Sequence, residues 1–302
     1  MAQTKRSEWL DMALAKHYIP EIAFRDLTPK YEIGRGASGQ VEHMAWHIGT
    51  SEEQVAVKKI YNGKQEDIDK TFVKELQHIV GLSHDRIVRF YGISYNEVSN
   101  AYVFVHKFYE NGTLRNYLQK NPQIILKQRV SIANEVALGL NFIHYRGVVH
   151  RDLNTGNVLV DAQGHCVIAD FGIAKAIDEA TSTFSVVGSN TGHDPQRLLS
   201  PFRVQDIRLK QLRIHFRYSL KHTIPGDIYS FGVVCWEIFK GRKPFENRPH
   251  GMDLALEIID GLREEPVPGL PQRYIDLYTT CWDNNLKNRP AMEVILNRLA
   301  PV

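Results

Sequence analysis

Apolar residues recur along this chain in two rhythms, and the change of rhythm divides it. Residues 7–18 place Trp9, Met12 and Ala13 at helical spacing behind Ser7, a capping residue type, and predict a short helix. Pro20 and Pro29 bracket a connector. From 31 to about 109 the pattern is mostly that of short β-rich runs (31–33, 41–47, 55–60, 87–92, 101–105) separated by turn residues. One helical stretch, 67–80, interrupts them. Beyond Leu114 the helical period dominates, at 114–119, 127–145, 228–240, 254–261, 274–281 and 291–299. Strands first and helices afterwards predict two α+β lobes, not an alternating βαβ fold.

Composition narrows the function classes. Of 302 residues, 43% are hydrophobic and 24% charged, as in an ordinary globular protein. No apolar run approaches the ~18–20 residues of a spanning helix, so no membrane insertion is expected. The first residues lead into charge rather than an apolar signal core, and the expected location is cytoplasmic. A net charge of +3 is too slight to argue for a nucleic-acid partner. Three widely spaced cysteines, Cys166, Cys235 and Cys281, fit reduced thiols rather than a disulfide framework.

Three stretches carry candidate chemistry. The first is Gly34-Arg35-Gly36-Ala37-Ser38-Gly39-Gln40-Val41. In a dinucleotide-binding turn these glycines would open a helix. Here strand-like residues lie on both sides, so the glycines belong in a hairpin, either bare or one whose backbone can approach phosphates. The second is Val55-Ala56-Val57-Lys58. A lysine within an apolar strand is costly to bury unpaired, and Glu75 on the 67–80 helix is a candidate partner; the alternative is two solvated charges. The third runs from His150-Arg151-Asp152 through Asn157 to Asp170-Phe171-Gly172. Carboxylates near a phosphate site repel a polyanion unless a divalent cation lies between them. Asn157 and Asp170 can offer oxygen ligands to Mg²⁺, and Asp152 can accept a proton from an attacking hydroxyl.

These motifs, in this order, resemble the eukaryotic protein-kinase domain over roughly 31–300. Cys281-Trp282-Asp283, Arg289-Pro290-Ala291-Met292 and Asp227-Ile228-Tyr229-Ser230-Phe231-Gly232 are similar to its tyrosine-kinase-like group. The resemblance implies a two-lobed α+β fold. A small β-rich lobe would span about 31–109 and a larger helical lobe about 110–300, after an N-terminal helix and connector at 1–30. It implies ATP and Mg²⁺ as cofactors and protein substrates as partners. By position, Gly34, Arg35, Gly36, Ala37, Ser38 and Gly39 would form the phosphate loop. Lys58 would hold the α- and β-phosphates and pair with Glu75. Ile33, Val41, Ala56 and Leu159 would enclose the adenine, with the connecting segment at Lys107, Phe108 and Tyr109 and with His106 behind it. Asp152 would be the catalytic base, and Asn157 and Asp170 the metal ligands. Ile79, Phe90, His150 and Phe171 would form the family's apolar stack.

Three positions depart from that pattern. Asn154 and Gly156 stand where serine/threonine kinases place a lysine and tyrosine kinases an arginine. One charge contact to the transferring group is then missing from the loop. Gln196, at the end of the eroded segment 188–196, replaces a glutamate expected to pair with Arg289. Residues 200–222 form a basic insert, with Arg203, Arg208, Lys210, Arg213, Arg217 and Lys221 against Asp206. It reads as a solvated loop, a docking surface or translated intron. Thr181, Ser182, Thr183 and Ser185 are candidate phosphorylation sites, to whose phosphate Arg151 and Lys175 could offer cationic partners. The resulting expectation is an ATP-dependent kinase of protein serine or threonine. The alternatives are a pseudokinase scaffold and a protein tyrosine kinase, with a small-molecule kinase as a remoter rival.

Overall fold

Pairing of five antiparallel strands builds the first unit. The structure, a computed structural model, describes residues 8–36, 39–59, 65–171, 175–176, 223–249 and 252–300. The chain separates into two units, Met1–Glu110 and Asn111–Val302. In the first, β1 (Leu27–Gly36), β2 (Gly39–Ile48), β3 (Ser51–Lys59), β4 (Phe90–Asn96) and β5 (Ala101–Lys107) form a sheet in the order β1-β2-β3-β5-β4. Side chains alternate between its faces. Met44, Val55, Val57, Val103 and Val105 therefore share one buried face, closed by Ile22 and Leu27. The opposite face meets α2 (Gln65–Ile79), whose Phe72, Leu76 and Ile79 recur at helical spacing and are buried. Phe72 stacks on Phe104 of β5 at 4.3 Å between ring centroids.

Three expectations for this unit are corrected. Pro29 does not end a connector: it lies inside β1, which begins at Leu27. β1 is an edge strand with a register shift at Pro29, the setting in which the missing N–H costs least. The fourth strand is not 87–92 but Phe90–Asn96. Ile87 and Val88 are buried core residues following a turn, where the Ile87 N–H donates to the His84 carbonyl at 3.0 Å. Pairing with β5 sets the strand, and a register shift carries it past Gly92. In α1 (Glu8–Ala15) the buried residues are Leu10 and Ala13, whereas Met12 faces solvent. Ser7, Ile60, Ala37, Ser38, Gly172, the segment 177–199 and the insert 200–222 lie outside the described residues.

Beyond α1 the chain is laid along β4. The Ile22 N–H donates to the Ile93 carbonyl at 2.8 Å, and the Ile93 N–H donates to the Pro20 carbonyl at 3.0 Å. This occupies a sheet edge that would otherwise present unpaired backbone.

The second unit is helical, with α3 (Leu114–Lys120), α4 (Leu126–Tyr145), α5 (Ile224–Lys240), α6 (Met252–Ile259), α7 (Gln272–Cys281) and α8 (Met292–Leu299). Each expected helix is present. α5 starts before position 228 because Pro225 fits a first turn, where no N–H is needed. From Asp227 to Phe239 every residue of α5 is buried, so this helix is the core around which the unit packs. Two short antiparallel pairs complete it: the hairpin of β7 (Val158–Val160) with β8 (Cys166–Ile168), and β6 (Val148–Val149) with the non-adjacent β9 (Lys175–Ala176). The two units give the expected two-lobed α+β architecture, a β-sheet region followed by a helical region. The three cysteines are free and buried, and burial pushes the Cys281 thiol up to about 12. Among the described residues no helix is long and apolar enough to cross a membrane.

A side chain at Gly92 tests the docked N-terminal segment. Its φ is +154°, and a Cβ there would stand 2.3 Å from the Pro20 carbonyl oxygen. Gly92→Ala is expected to destabilise the first unit by about 1–3 kcal/mol and to free 19–22 from β4. Thermal melting and amide exchange at Ile22 and Ile93 check this; an unchanged melt with both amides still protected would refute the contact.

Candidate active site

Strand parity assembles the first set of residues. Val41 lies opposite Lys58 in the ladder, His43 opposite Ala56, Phe104 opposite Lys58 and His106 opposite Ala56. Directly opposed residues point to the same side of a sheet. Val41, Ala56, Lys58 and His106 thus share the face that α2 covers in part. Lys58 is 8% exposed and Glu75 3%, and Lys58 Nζ donates to Glu75 Oε1 at 2.7 Å. The pairing expected from the lysine in its apolar strand is therefore made.

The glycine-rich stretch closes the β1–β2 hairpin, with Gly36 opposite Gly39 as its last pair. It opens no helix. Gly34 lies opposite Val41, Ile33 is 46% exposed, and Arg35 pairs with Glu32 at 3.5 Å on the surface. At the end of β5 the Lys107 N–H donates to the Arg89 carbonyl and the Phe108 N–H to the Gln54 carbonyl. The Tyr109 ring is buried, its hydroxyl accepts from the Arg89 N–H at 3.2 Å, and Lys107 Nζ lies 5.6 Å from its centroid. One residue of this face had no motif to announce it. His43 is buried, stacked on Phe108 at 4.0 Å and edge-on to Tyr31 at 4.7 Å. Strict alternation from Val41 was the available signal.

The second set hangs on α5. Asp227 is 1% exposed, and its two oxygens accept the main-chain N–H groups of His150 and Arg151, each at 2.8 Å. His144 Nε2 donates to the same carboxylate at 2.9 Å. Arg151 carries φ +74°, a strained conformation for a residue with a side chain, and these bonds hold it there. Burial alone would raise the Asp227 pKa. The hydrogen bond and charge of His144, with the Arg151 N–H, outweigh that and hold the carboxyl below its ordinary value. His150 has one possible tautomer here. Nε2 faces the Ala169 carbonyl at 3.0 Å, which only accepts, and Nδ1 faces the Asp152 N–H at 3.2 Å, which only donates. Nε2 therefore carries the proton, and the ring packs 5.3 Å from Phe171.

Asp152 projects from the turn so held. Asn157 Nδ2 donates to the Asp152 carbonyl at 2.8 Å and to Asp152 Oδ2 at 3.0 Å. Both partners accept only, so the nitrogen end of the Asn157 amide faces Asp152, and Oδ1 at its other end is an atom that could ligate a cation. Leu159 alternates with the buried Val158 and Val160 on β7. Asp170 follows β8 at φ +61°. The fold thus gathers Lys58, Glu75, Val41 and Ala56 in the first unit, and Asp152, Asn157, Leu159 and Asp170 in the second. Arg289, expected opposite Gln196, donates to the Asp283 and Pro225 carbonyls, each at 2.8 Å, and stacks over Tyr229. Among the described residues no group of three or more His, Cys, Asp or Glu forms a metal cage. A site for Mg²⁺ built from one amide, one carboxylate and phosphate oxygens does not need one.

The profile of the family described as protein tyrosine and serine/threonine kinase matches residues 27–299. The chain is 29% identical over 275 residues (90% of it) to the tyrosine-protein kinase TXK of Homo sapiens, covering 47% of that protein. It is 29% identical over 270 residues (89%) to the tyrosine-protein kinase SYK of Gallus gallus, covering 41%. It is 27% identical over 292 residues (93%) to a putative serine/threonine-protein kinase/receptor, R831, of Acanthamoeba polyphaga mimivirus, covering 17%. The chain spans less than half the length of each of these relatives.

The Asp227 clamp predicts an acid-sensitive second unit. A depressed carboxyl contributes its full stability above the unfolded-state value of about 3.9 and loses it as pH falls through the lower folded value. Asp227→Asn cannot accept from both N–H groups and is expected to cost about 3–5 kcal/mol. Urea denaturation at pH 7 and pH 3 checks both statements: the wild type should weaken toward pH 3, and the variant should be weak at pH 7 already.

Proposed function

The chain belongs to the protein tyrosine and serine/threonine kinase family, and from that premise we propose that it transfers the γ-phosphoryl group of ATP to a protein hydroxyl. The observation that carries the proposal is the buried Lys58–Glu75 pair, 2.7 Å between nitrogen and oxygen. A desolvated ion pair is a poor source of stability compared with apolar packing. Its presence next to the apolar run Val55-Ala56-Val57 is accounted for by a phosphate-binding ammonium held in place by its carboxylate.

The proposed roles go position by position. Gly34, Arg35, Gly36, Ala37, Ser38 and Gly39 cover the phosphates, and Lys58 binds the α- and β-oxygens. Ile33, Val41, Ala56 and Leu159 contact the adenine. The Lys107 and Tyr109 side chains are engaged with each other and with Arg89, so their contribution is assigned to main-chain atoms. Asp152 accepts the proton of the attacking hydroxyl, its carboxylate held by Asn157. Asn157 Oδ1 and the Asp170 carboxylate are hard oxygen donors that fit Mg²⁺, which when bound would neutralise and orient the phosphate oxygens. Protein substrates and an intracellular location belong to the same proposal; the free cysteines are compatible with it.

The acceptor is assigned from the relatives. The loop positions that divide the two classes, Asn154 and Gly156, carry neither expected cation and are silent. Two of the three relatives, TXK and SYK, are named tyrosine kinases, which supports tyrosine transfer at least as well as the serine/threonine transfer expected from sequence.

Incubation with Mg-ATP followed by mass-spectrometric mapping tests activity and acceptor together. Phosphotyrosine is the expected product; exclusive phosphoserine and phosphothreonine would reverse the acceptor assignment. Asp152→Asn should lower turnover by about 10²–10⁴-fold with ATP binding retained, because the base is lost and the phosphate loop is not. Wild-type turnover in that variant would sink the proposed chemistry. ATP binding without transfer in the wild type would leave a scaffold.

A further inference from the structure

The catalytic loop from Asp152 to Asn157 contains no cation: it reads Asp-Leu-Asn-Thr-Gly-Asn. Both positions where one was expected have other work. Asn154 Nδ2 donates to the Asp152 carbonyl at 3.0 Å, and Asn154 Oδ1 accepts the Gly156 N–H at 2.8 Å, so both ends of its amide shape the loop. Gly156 is not in the left-handed region, so its conformation admits any residue. Space is what excludes a side chain: a Cβ there would stand 2.9 Å from Asn154 Oδ1 and 3.3 Å from Arg115 Nη1.

That second neighbour comes from another element. Arg115 lies in the first turn of α3, and its N–H donates to the Thr155 carbonyl at 3.1 Å, tying the helix to the loop. Its guanidinium is oriented from behind. Nε meets Glu237 Oε1 at 3.0 Å and Nη2 meets Oε2 at 3.5 Å, with Glu237 buried on α5 and the Arg115 side chain 21% exposed. The third nitrogen, Nη1, is the one against Gly156. A planar fork held on one edge by a buried carboxylate presents its other donors in a fixed direction.

We propose that Arg115 supplies, from α3, the positive hydrogen-bond donor the loop lacks, and that it stabilises negative charge on the phosphoryl group during transfer. Gly156 is small so that this donor reaches the loop edge, and Glu237 positions it. The proposal rests on the kinase reading. Donors preorganised where charge develops act on kcat and leave ground-state binding little changed. A purely structural ion pair would move stability instead.

The test uses the purified full chain, Mg-ATP and a peptide copied from a mapped autophosphorylation site. Removing Arg115 alone would strand a buried carboxylate, so both partners are neutralised in Arg115→Gln/Glu237→Gln. This variant should lose about 10²-fold in kcat, with KM for ATP and peptide within about two-fold of wild type. Adding Gly156→Arg to it, with Asn154→Ala to clear the nearer neighbour of a Cβ at 156, returns a guanidinium from the loop itself and should recover about ten-fold or more; Gly156→Leu with the same Asn154→Ala should recover nothing. Wild-type kcat in the double variant overturns the proposal, as does a rise confined to the peptide KM, or no recovery by Gly156→Arg in a protein that melts normally. Should the double variant not fold, Arg115→Lys keeps a charge for Glu237 but no arm for Gly156, and an unchanged kcat in it is equally fatal. No transfer by the wild-type chain refutes the kinase reading itself, a result distinct from transfer that ignores Arg115.

Discussion

A carboxylate sealed from solvent organises the chemistry of the second unit. Asp227 sits in a helix buried throughout its core-facing and flanking turns, and it commits both oxygens to the backbone of His150 and Arg151. Those two N–H groups donate to its carboxylate, and they hold the strained Arg151 backbone in place. The residues after Arg151 inherit that constraint. His150 is fixed in one tautomer by Ala169 and Asp152, Phe171 packs on its ring, and Asp152 is left projecting where Asn157 can grip it. The Asp152 carboxylate, the base of the proposed transfer, is thus positioned from a core helix through main-chain bonds, with no direct contact to Asp227 required.

The first unit reaches comparable definition by other means. A strand has no free choice of face once its register is set, because a slip of one residue would exchange the faces, sending Val55 and Val57 to the α2 side and Lys58 in among Met44, Val103 and Val105. Burying those valines therefore directs Lys58 to the α2 side, where Glu75 waits on the same helical face as the buried Phe72, Leu76 and Ile79. The ammonium is placed as a consequence of hydrophobic alternation. The carboxylate is the partner that makes its burial tolerable.

Much of this was legible in the chain, and the misses are instructive. Helices were found because their apolar period persists over several turns, and Gly34, Lys58, Asp152, Asn157 and Asp170 could be named as candidates because each belongs to a local motif. The hairpin character of the glycine stretch came from the strand-like residues on both sides. Ile87 and Val88 misled because an apolar pair signals burial, and burial is not strand pairing. Pro29 misled because the chain alone does not say which strand will lie at the edge. Met12 shows the same limit, since helical spacing fixes which residues share a face but leaves open which face packs inward.

By itself the sequence determined the order of elements, the family, and the residues of each local motif. These depend on spacing along the chain, on the turn-forming preference of glycine, and on the cost of leaving a lysine unpaired among valines. Tertiary structure decided which distant residues meet. His43 packs between Tyr31 and Phe108, Asp227 reaches back to His144, His150 and Arg151, and Arg115 lies between Glu237 and Gly156. Such contacts join residues far apart in sequence. They carry no local signature, because what selects them is the packing of helices and strands already formed.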